Sequence, residues 1–460
     1  MNGLAEKLYL KSPVFIQNIL VTLYGIKLYK ERYGKTEKKH LNMLLETEKM
    51  SAEMMLEWQE HRFLKIAKDA IENVPFYRDW AKENGIKSAD ILSIEDVKLF
   101  PILNKEKVRA NPENFVSESH SKKTLFKLYT SGTSGSPLTV YSDSNSRTLH
   151  YAFFSRLRSW FGLGRRSRRA TLFGRIIMLP ESNSPPFWRF DYAQNNLLMS
   201  SYHLSDSNLL YYYKKLKDYD PLEIIGYPSS LYLIAEYINR KGLSKLNTKL
   251  VISTAETLME YQRESIEKAF EGPLVDQYGC TEMAFFASQC EFGRMHFHPE
   301  HGIVEVMDLG RAVVGAPGSL VVTGLVNSAM PLIRYEVGDR VIISESICEC
   351  KRSFPVIEQV IGRVDDIIYS QEGTPVGRLD PIFKGGIGIK AAKVLQLESS
   401  EIIVYIEASN EFNNENEAIL VAELRKRVGS KLAITVKRVD CLPKDRNGKF
   451  KAVESKYSPQ

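Results

Sequence analysis

Apolar positions recur at three- and four-residue intervals in several stretches, and at shorter, denser intervals in others. Residues 14–26, 56–71 (Leu56, Phe63, Leu64, Ala67, Ile71), 231–238, 258–270 and 417–428 carry the helical spacing. The second of these predicts a helix ending near Val74, because the residue before a proline is pushed out of the α region. Compact apolar runs at 125–129, 170–173, 222–226, 249–254 and 274–278 predict strands. Their alternation with helical patterns argues for an α/β fold with layered, mostly parallel sheets. From Gly302 the texture changes to short strands (303–306, 319–323, 341–343), predicting a β-rich, barrel-like part over about 302–362. Beyond it a strand–helix–strand mixture (402–406, 417–428, 434–436) predicts a small separate α+β domain. The expected organisation is a large N-terminal domain, 1–362, and a small C-terminal domain, 363–460.

A chain of 460 residues exceeds the size at which single cores stop growing, in line with two domains. Apolar content of 43% and charged content of 26% are those of a soluble globular protein. A net charge of +6 over this length does not call for nucleic acid as a partner. Five cysteines form no disulfide framework and point to a reducing, cytoplasmic setting. The apolar stretch 14–26 is broken by Gln17 and Asn18, ends at Lys27 and is followed by no small-residue cleavage site. It is also too short to span a bilayer. Two readings stand: an amphipathic helix packed on the body, or a helix in shallow contact with a membrane surface. Seven arginines between 156 and 175 (Arg156, Arg158, Arg165, Arg166, Arg168, Arg169, Arg175) read either as a solvated helix end or as an anion-collecting rim.

The most distinctive stretch is Leu128-Tyr-Thr-Ser-Gly-Thr-Ser-Gly-Ser-Pro-Leu138. A predicted strand runs into Thr130, Ser131, Gly132, Thr133, Ser134 and Gly135, where two glycines let the backbone approach a ligand closely. Successive N–H groups and hydroxyls there can surround anionic oxygens. It is not a Walker loop, since Ser136 and Pro137 replace the required Lys-Ser/Thr pair. A polar surface turn is the other reading of the same composition.

Five phrases, in this order, resemble the acyl-adenylate-forming superfamily, which includes acyl-CoA synthetases, peptide-synthetase adenylation domains and luciferase. They are the loop from Tyr129 to Pro137, Tyr278-Gly-Cys-Thr-Glu282, Arg334-Tyr-Glu-Val-Gly-Asp339, Gly362-Arg-Val-Asp-Asp366 and Pro443-Lys-Asp-Arg-Asn-Gly-Lys449. Val74-Pro-Phe-Tyr, Phe100-Pro-Ile-Leu-Asn-Lys105, Gly226-Tyr-Pro-Ser and Pro331-Leu-Ile-Arg-Tyr335 narrow the resemblance to the phenylacetate–CoA ligase branch and its CapK-type relatives from capsular polysaccharide clusters.

The resemblance implies attack of a carboxylate on the α-phosphate of ATP, with Mg²⁺ as cofactor, and transfer of the acyl group to CoA, a carrier or a sugar amine. It implies that the loop 131–135 holds the β- and γ-phosphates, Thr281 touches the α-phosphate and Glu282 binds Mg²⁺. Tyr278, Gly279, Ala255 and Glu256 would line the adenine pocket, and Asp339 would accept the ribose hydroxyls. Arg363 would lie near the ribose, Asp365 at the hinge of a C-terminal lid, and Lys449 on the lid would contact carboxylate and bridging oxygen. Lys451 rivals Lys449, and Arg378 is a further phosphate contact. Tyr227, Phe285 and Phe286 are expected at an acyl pocket for a small or aromatic acid.

Cys290, His296, Cys348 and Cys350 offer three thiolates and an imidazole, the donor set of a closed structural zinc site. The CapK-type resemblance favours this reading, with His298 and His301 as competing imidazoles; buried free cysteines are the alternative. A function of another class also stands: a catalytically idle relative serving as a scaffold subunit of a polysaccharide assembly complex.

Overall fold

The computed structural model describes residues 3–457 except 131–137, 180, 183, 257, 259, 361–367, 371–374, 377–378, 380–388, 409–410, 430, 441 and 443–452. The expected domain boundary at 362/363, Arg363, Asp365, Arg378, Lys449, Lys451 and the loop residues Ser131, Gly132, Thr133, Ser134 and Gly135 all lie outside the described residues.

Five helices open the chain: α1 (Gly3–Lys11), α2 (Val14–Arg32), α3 (Glu37–Thr47), α4 (Ala52–Asn73) and α5 (Pro75–Glu83). The α4 N-terminus is capped by Ser51, whose hydroxyl accepts from the Met54 amide at 3.3 Å. Its other end is set by Val74, extended at φ −103°, ahead of Pro75, which starts α5. Then come α6 (Lys105–Ala110), the hairpin of β1 (Phe126–Tyr129) and β2 (Thr139–Ser142), and α7 (Ser144–Trp160).

The main sheet has 13 strands. Five are parallel, in the order β8 (Leu274–Gly279), β7 (Leu250–Thr254), β6 (Glu223–Gly226), β3 (Arg169–Phe173) and β5 (Asn196–Ser200), with β4 (Trp188–Asp191) antiparallel at the edge. The strands β6 and β7 are buried almost throughout, as expected where helices cover both faces. Those helices include α8 (Asp206–Tyr219), α9 (Pro228–Arg240) and α10 (Glu260–Ala269). The chain reverses after β8 into β9 (Phe286–Gln289) and β10 (Met295–Phe297). The sheet continues antiparallel through β11 (Gly302–Asp308), β12 (Arg311–Ala312), β13 (Gly318–Gly324), β14 (Tyr335–Ser344) and β15 (Val356–Val360). The β-rich part is thus present, but it begins at Phe286 rather than 302 and is hydrogen-bonded edge to edge with the parallel strands.

The small domain has a core of its own, in which Val394, Ile402, Val404, Ile406, Leu420 and Leu424 are clustered and buried. They belong to a four-stranded sheet in which Ile389–Glu398 and Glu401–Ala408 pair antiparallel, flanked by parallel Ala433–Val439 and Val453–Ser455, with the helix Asn414–Val428.

The arginine run divides: Arg166, Arg168 and Arg175 are exposed, while three others are structural partners. Arg156, Arg158 and Arg169 are buried. Arg156 reaches the buried Glu300 at 2.5 Å and the ring of His298 at 2.6 Å. Arg158 binds Glu223 through two contacts of 2.8 and 3.1 Å, and Arg169 binds the same carboxylate at 2.9 Å. Arg165 and Arg168 pair with Glu37 and Asp220. These residues tie α7 and β3 to β6, to α3 and to the segment before β11.

Candidate functional site

The turn between β8 and β9 holds Glu282, which is buried. Two groups reach its Oε1: the Lys105 ammonium at 3.0 Å and the Tyr335 phenol, which donates at 2.9 Å. Burial pushes the Glu282 carboxyl up, but the Lys105 charge and hydrogen bond outweigh this and hold it below 4.5. Next to it, burial and the Glu282 charge push the Cys280 thiol up to about 12, leaving Cys280 a protonated bystander.

Lys105 reaches this spot through packing set far away in sequence. Leu103 bridges to Tyr335, with the Leu103 amide donating to Arg334 O at 2.9 Å and the Glu336 amide donating to Leu103 O at 2.8 Å. Arg334 binds Glu305 through two 3.0 Å contacts and donates to the Phe100 carbonyl at 3.1 Å. Asn104 then caps α6 by accepting from the Lys107 amide at 2.8 Å, so Lys105 leaves from the first turn of that helix. From the other side the Tyr77 phenol donates to Pro331 O at 3.2 Å and accepts from the Ile333 amide at 2.8 Å. The phrases Val74-Pro-Phe-Tyr and Phe100-Pro-Ile-Leu-Asn-Lys105 are therefore the supports of Glu282's surroundings.

Asp339 lies four residues beyond Tyr335 on β14, and Tyr278 four residues before Glu282 on β8. The Tyr278 phenol donates to Asp339 Oδ2 at 2.8 Å. Two tyrosine–carboxylate bonds thus run in opposite senses between the same two segments, Tyr278 to Asp339 and Tyr335 to Glu282. Tyr278, Asp339 and Thr281 are half-buried and Gly279 is exposed, whereas Glu282 is buried.

At the end of β7, Ala255 is exposed in the left-handed region at φ 71°, and the Glu256 carboxylate accepts from the Ser229 amide at 3.2 Å. Met283, beside Glu282, and Arg334, beside Tyr335, are also left-handed, at φ 56° and 50°. Three of the seven non-glycine residues with positive φ among those described thus flank one site, a pattern of strain held by its surroundings. Thr130 closes the neck of the 131–137 segment: its hydroxyl accepts from the Leu138 amide at 3.1 Å, and its own amide donates to Leu138 O at 2.9 Å.

The aromatic residues divide. Tyr227 stands at the end of β6 with its ring on Phe173, at 5.3 Å. Phe285 is buried between the rings of Tyr278 (4.8 Å) and Phe297 (5.7 Å). Phe286 is turned to the opposite face from Phe285 and is fully buried against Phe154, His298 and Phe153.

The ligand atoms of Cys290, His296, Cys348 and Cys350 all lie within 4.8 Å of one another. Cys290 and Cys348 Sγ are 3.6 Å apart, as are Cys350 Sγ and His296 Nε2. Zinc bonds of about 2.3 Å to sulfur and about 2.0–2.1 Å to nitrogen give tetrahedral edges of roughly 3.5–3.8 Å, so the donor set fits that ion. His296 Nδ1 faces the Phe354 carbonyl at 3.1 Å, which directs Nε2 inward. The competing imidazoles are engaged elsewhere, His298 between Arg156 and Ser288 and His301 against His150 at 2.9 Å.

Lys105 and Tyr335 are site residues that the sequence does not single out. The available signal is chemical: a glutamate on a buried turn demands a cation and a donor.

Residues 368–456 match the CapK C-terminal domain family. The chain is 27% identical over 448 residues to Protein CapK of Staphylococcus aureus, covering 96% of this chain and 97% of that one. It is 25% identical over 344 residues to a phenylacetate-coenzyme A ligase of Thermus thermophilus, covering 70% and 73%. Among solved structures, 2-hydroxyisobutyryl-CoA ligase in complex with 2-HIB-AMP and CoA superposes with a TM-score of 0.59 at 18% identity, over 88% of this chain and 90% of that one, which shows a shared fold. With the Tyr278–Glu282 and Arg334–Asp339 phrases brought together on that fold, these similarities support placing the chain with the acyl-adenylate-forming enzymes, in the branch of CapK and the phenylacetate–CoA ligases.

Proposed function

We propose that this protein activates a small or aromatic carboxylic acid with ATP and passes the acyl group to CoA or another acceptor. The observation that carries the reading is the reciprocal pair of bonds, Tyr278 to Asp339 and Tyr335 to Glu282, which holds a ribose-binding and a metal-binding carboxylate in one frame. In the first half-reaction a carboxylate oxygen of the acid forms a bond to the α-phosphorus while the bond to the α–β bridging oxygen breaks. Pyrophosphate leaves, and no proton is transferred. Asp339 accepts from the ribose hydroxyls, Tyr278 lies along the base, and the Thr281 hydroxyl donates to an α-phosphate oxygen.

Glu282 fits Mg²⁺: it is an ionised, buried oxygen donor already facing a cation, and Mg²⁺ takes one carboxylate together with substrate phosphates. The ion would neutralise phosphate charge. Lys105 then shares or surrenders Oε1. The loop 131–135 and Lys449 supply the remaining contacts to the phosphates and the reacting carboxylate on this reading. Arg363 and Arg378 add contacts to the nucleotide, and Asp365 acts as the hinge of the C-terminal lid. Zinc on Cys290, His296, Cys348 and Cys350 would be structural, joining the ends of β9 and β10 to the segment before β15. One zinc per purified chain is the expected metal content.

Tyr227, at the end of β6, is an acyl-pocket residue on this reading, and phenylacetate, named for the relatives, heads the panel to try. The test is carboxylate-dependent release of pyrophosphate across such a panel, with ATP and Mg²⁺. Release that depends on one acid supports the reading; none from any acid favours the scaffold role in polysaccharide assembly. Thioester formation, measured separately, decides between CoA and a carrier or sugar amine.

A further inference from the structure

The outer face of α2 is apolar and uncovered. Phe15, Ile19 and Leu23, spaced four apart, are 65%, 53% and 57% exposed, and Ile26 continues the stripe. Leu8 on α1 and Tyr24 and Tyr192 at its margins are exposed as well. The other face of α2 is fixed to the edge strand β4. The Phe190 amide donates to Asn18 Oδ1 at 2.9 Å, and the Tyr192 amide donates to the Thr22 hydroxyl at 3.1 Å. Gln17 is buried and bonded to Arg189 and to the Tyr9 carbonyl. Gly25 approaches Asp191 so closely that a Cβ there would collide with the carboxylate. These contacts hold the helix against rotation and keep its stripe outward.

Exposed lysines flank the stripe in sequence: Lys27 and Lys30 follow it on α2, and Lys7 and Lys11 precede it on α1, where they also line a cleft with the helix Asn414–Val428. We propose that this face binds the surface of an anionic lipid bilayer, with α2 lying in the headgroup plane. A helix with one apolar face, aromatic margins and lysines at its rim has the make-up of an interfacial helix. No helix among the described residues is long and apolar enough to cross a membrane, which leaves lying on it as the mode of contact for these helices. Charge argues against a second copy as the occupant. Lysines stand at both ends, so pairing the stripe with itself sets lysine against lysine in either direction, whereas acidic lipid opposes both ends at once. The face lies at the β4 edge of the sheet, away from the β8–β14 site, and the proposal does not depend on the reaction assigned to that site.

The experiment is co-sedimentation of the full chain with vesicles of phosphatidylcholine alone or mixed with phosphatidylglycerol, paired with size-exclusion chromatography without lipid. The expected result is binding to the mixed vesicles, weakened about tenfold by Phe15→Ser with Leu23→Ser, and also weakened by Lys11→Glu with Lys30→Glu, as apolar burial and charge act together. Both pairs of changes should leave pyrophosphate release from ATP unaltered. If the serine variant binds as well as the parent, general basicity explains the binding and the proposal fails. It also fails if no vesicle is bound, or if the parent is a dimer that the serine variant dissociates and that ignores lipid.

Discussion

Glu223 and Glu282 are both carboxylates removed from water, and their partners hold them in different ways. Glu223 is locked between two arginines, one of them bidentate, from α7 and β3. Guanidinium groups are planar, permanently charged and fixed in direction, so three contacts pin that carboxylate in place. Glu282 is held by one lysine and one phenol, and both contacts fall on the same oxygen, Oε1. A lysine on a flexible stem can step aside. The same chemical unit is a strut in one place and, on the proposed reading, an exchangeable ligand in the other, decided by whether its cation can leave.

The largest effect that would break this contrast is on Glu223. Glu223→Ala strands two buried guanidinium groups and should cost about 3–5 kcal/mol in urea or thermal unfolding. A loss near zero would mean the triad is not sealed. Glu282→Gln should leave the unfolding midpoint close to the parent and reduce carboxylate-dependent pyrophosphate release by about 10²–10³-fold, the usual scale for removing one charge-stabilising group. Collapse of the fold instead would make Glu282 a second strut.

Lys105→Met separates the two carboxylates further. It leaves Glu282 buried without its cation and should destabilise by about 1.5–3 kcal/mol, as for hydrogen bonds to charged groups. Mg²⁺ should then raise the melting temperature of the variant more than that of the parent, since binding to the native state alone adds stability. Equal responses would show that Glu282 takes no metal.

Acid provides the mildest probe. Burial lowers His150 from 6.5 to about 3 and puts His301 well below 6.5, so both are neutral in the folded chain. Their folded pKa values lie beneath the unfolded ones, so their stabilising contribution is full above pH 6.5 and is lost as pH falls, by up to about 1.4 kcal/mol per histidine per unit. Glu223 and Glu282 are both held below 4.5 and stay ionised over that range. Melting temperature should therefore decline between about pH 6.5 and about pH 5 before either carboxylate titrates, and His150→Phe should flatten the decline.

Much of this is legible in the chain. Strands such as β6 and β7 announce themselves as continuous apolar runs, and the three cysteines suggest a zinc site, although the choice among His296, His298 and His301 is made only by the fold. The carboxylates Glu282 and Asp339 stand in recognisable phrases, and the structure places them in one frame. What cannot be read is partnership at a distance. Arg158 and Arg169 lie in a run that looks solvated because Glu223, which buries them, is far along the chain, 65 residues from Arg158. Lys105 ends a phrase that resembles helix–loop punctuation until Leu103 is seen against Tyr335. Phe285 and Phe286 are alike in sequence, yet they pack on different faces, one against Tyr278 and Phe297 and the other against Phe153 and Phe154.

The phenol of Tyr77 grips the backbone on both sides of Leu332 with a single oxygen, donating to one peptide group and accepting from the other. A tether of that kind couples the opening helices to the root of β14. The surroundings of Glu282 are thereby linked to α5, so on the proposed reading any rearrangement between half-reactions is made by parts of the chain that come to Glu282 rather than by Glu282 itself.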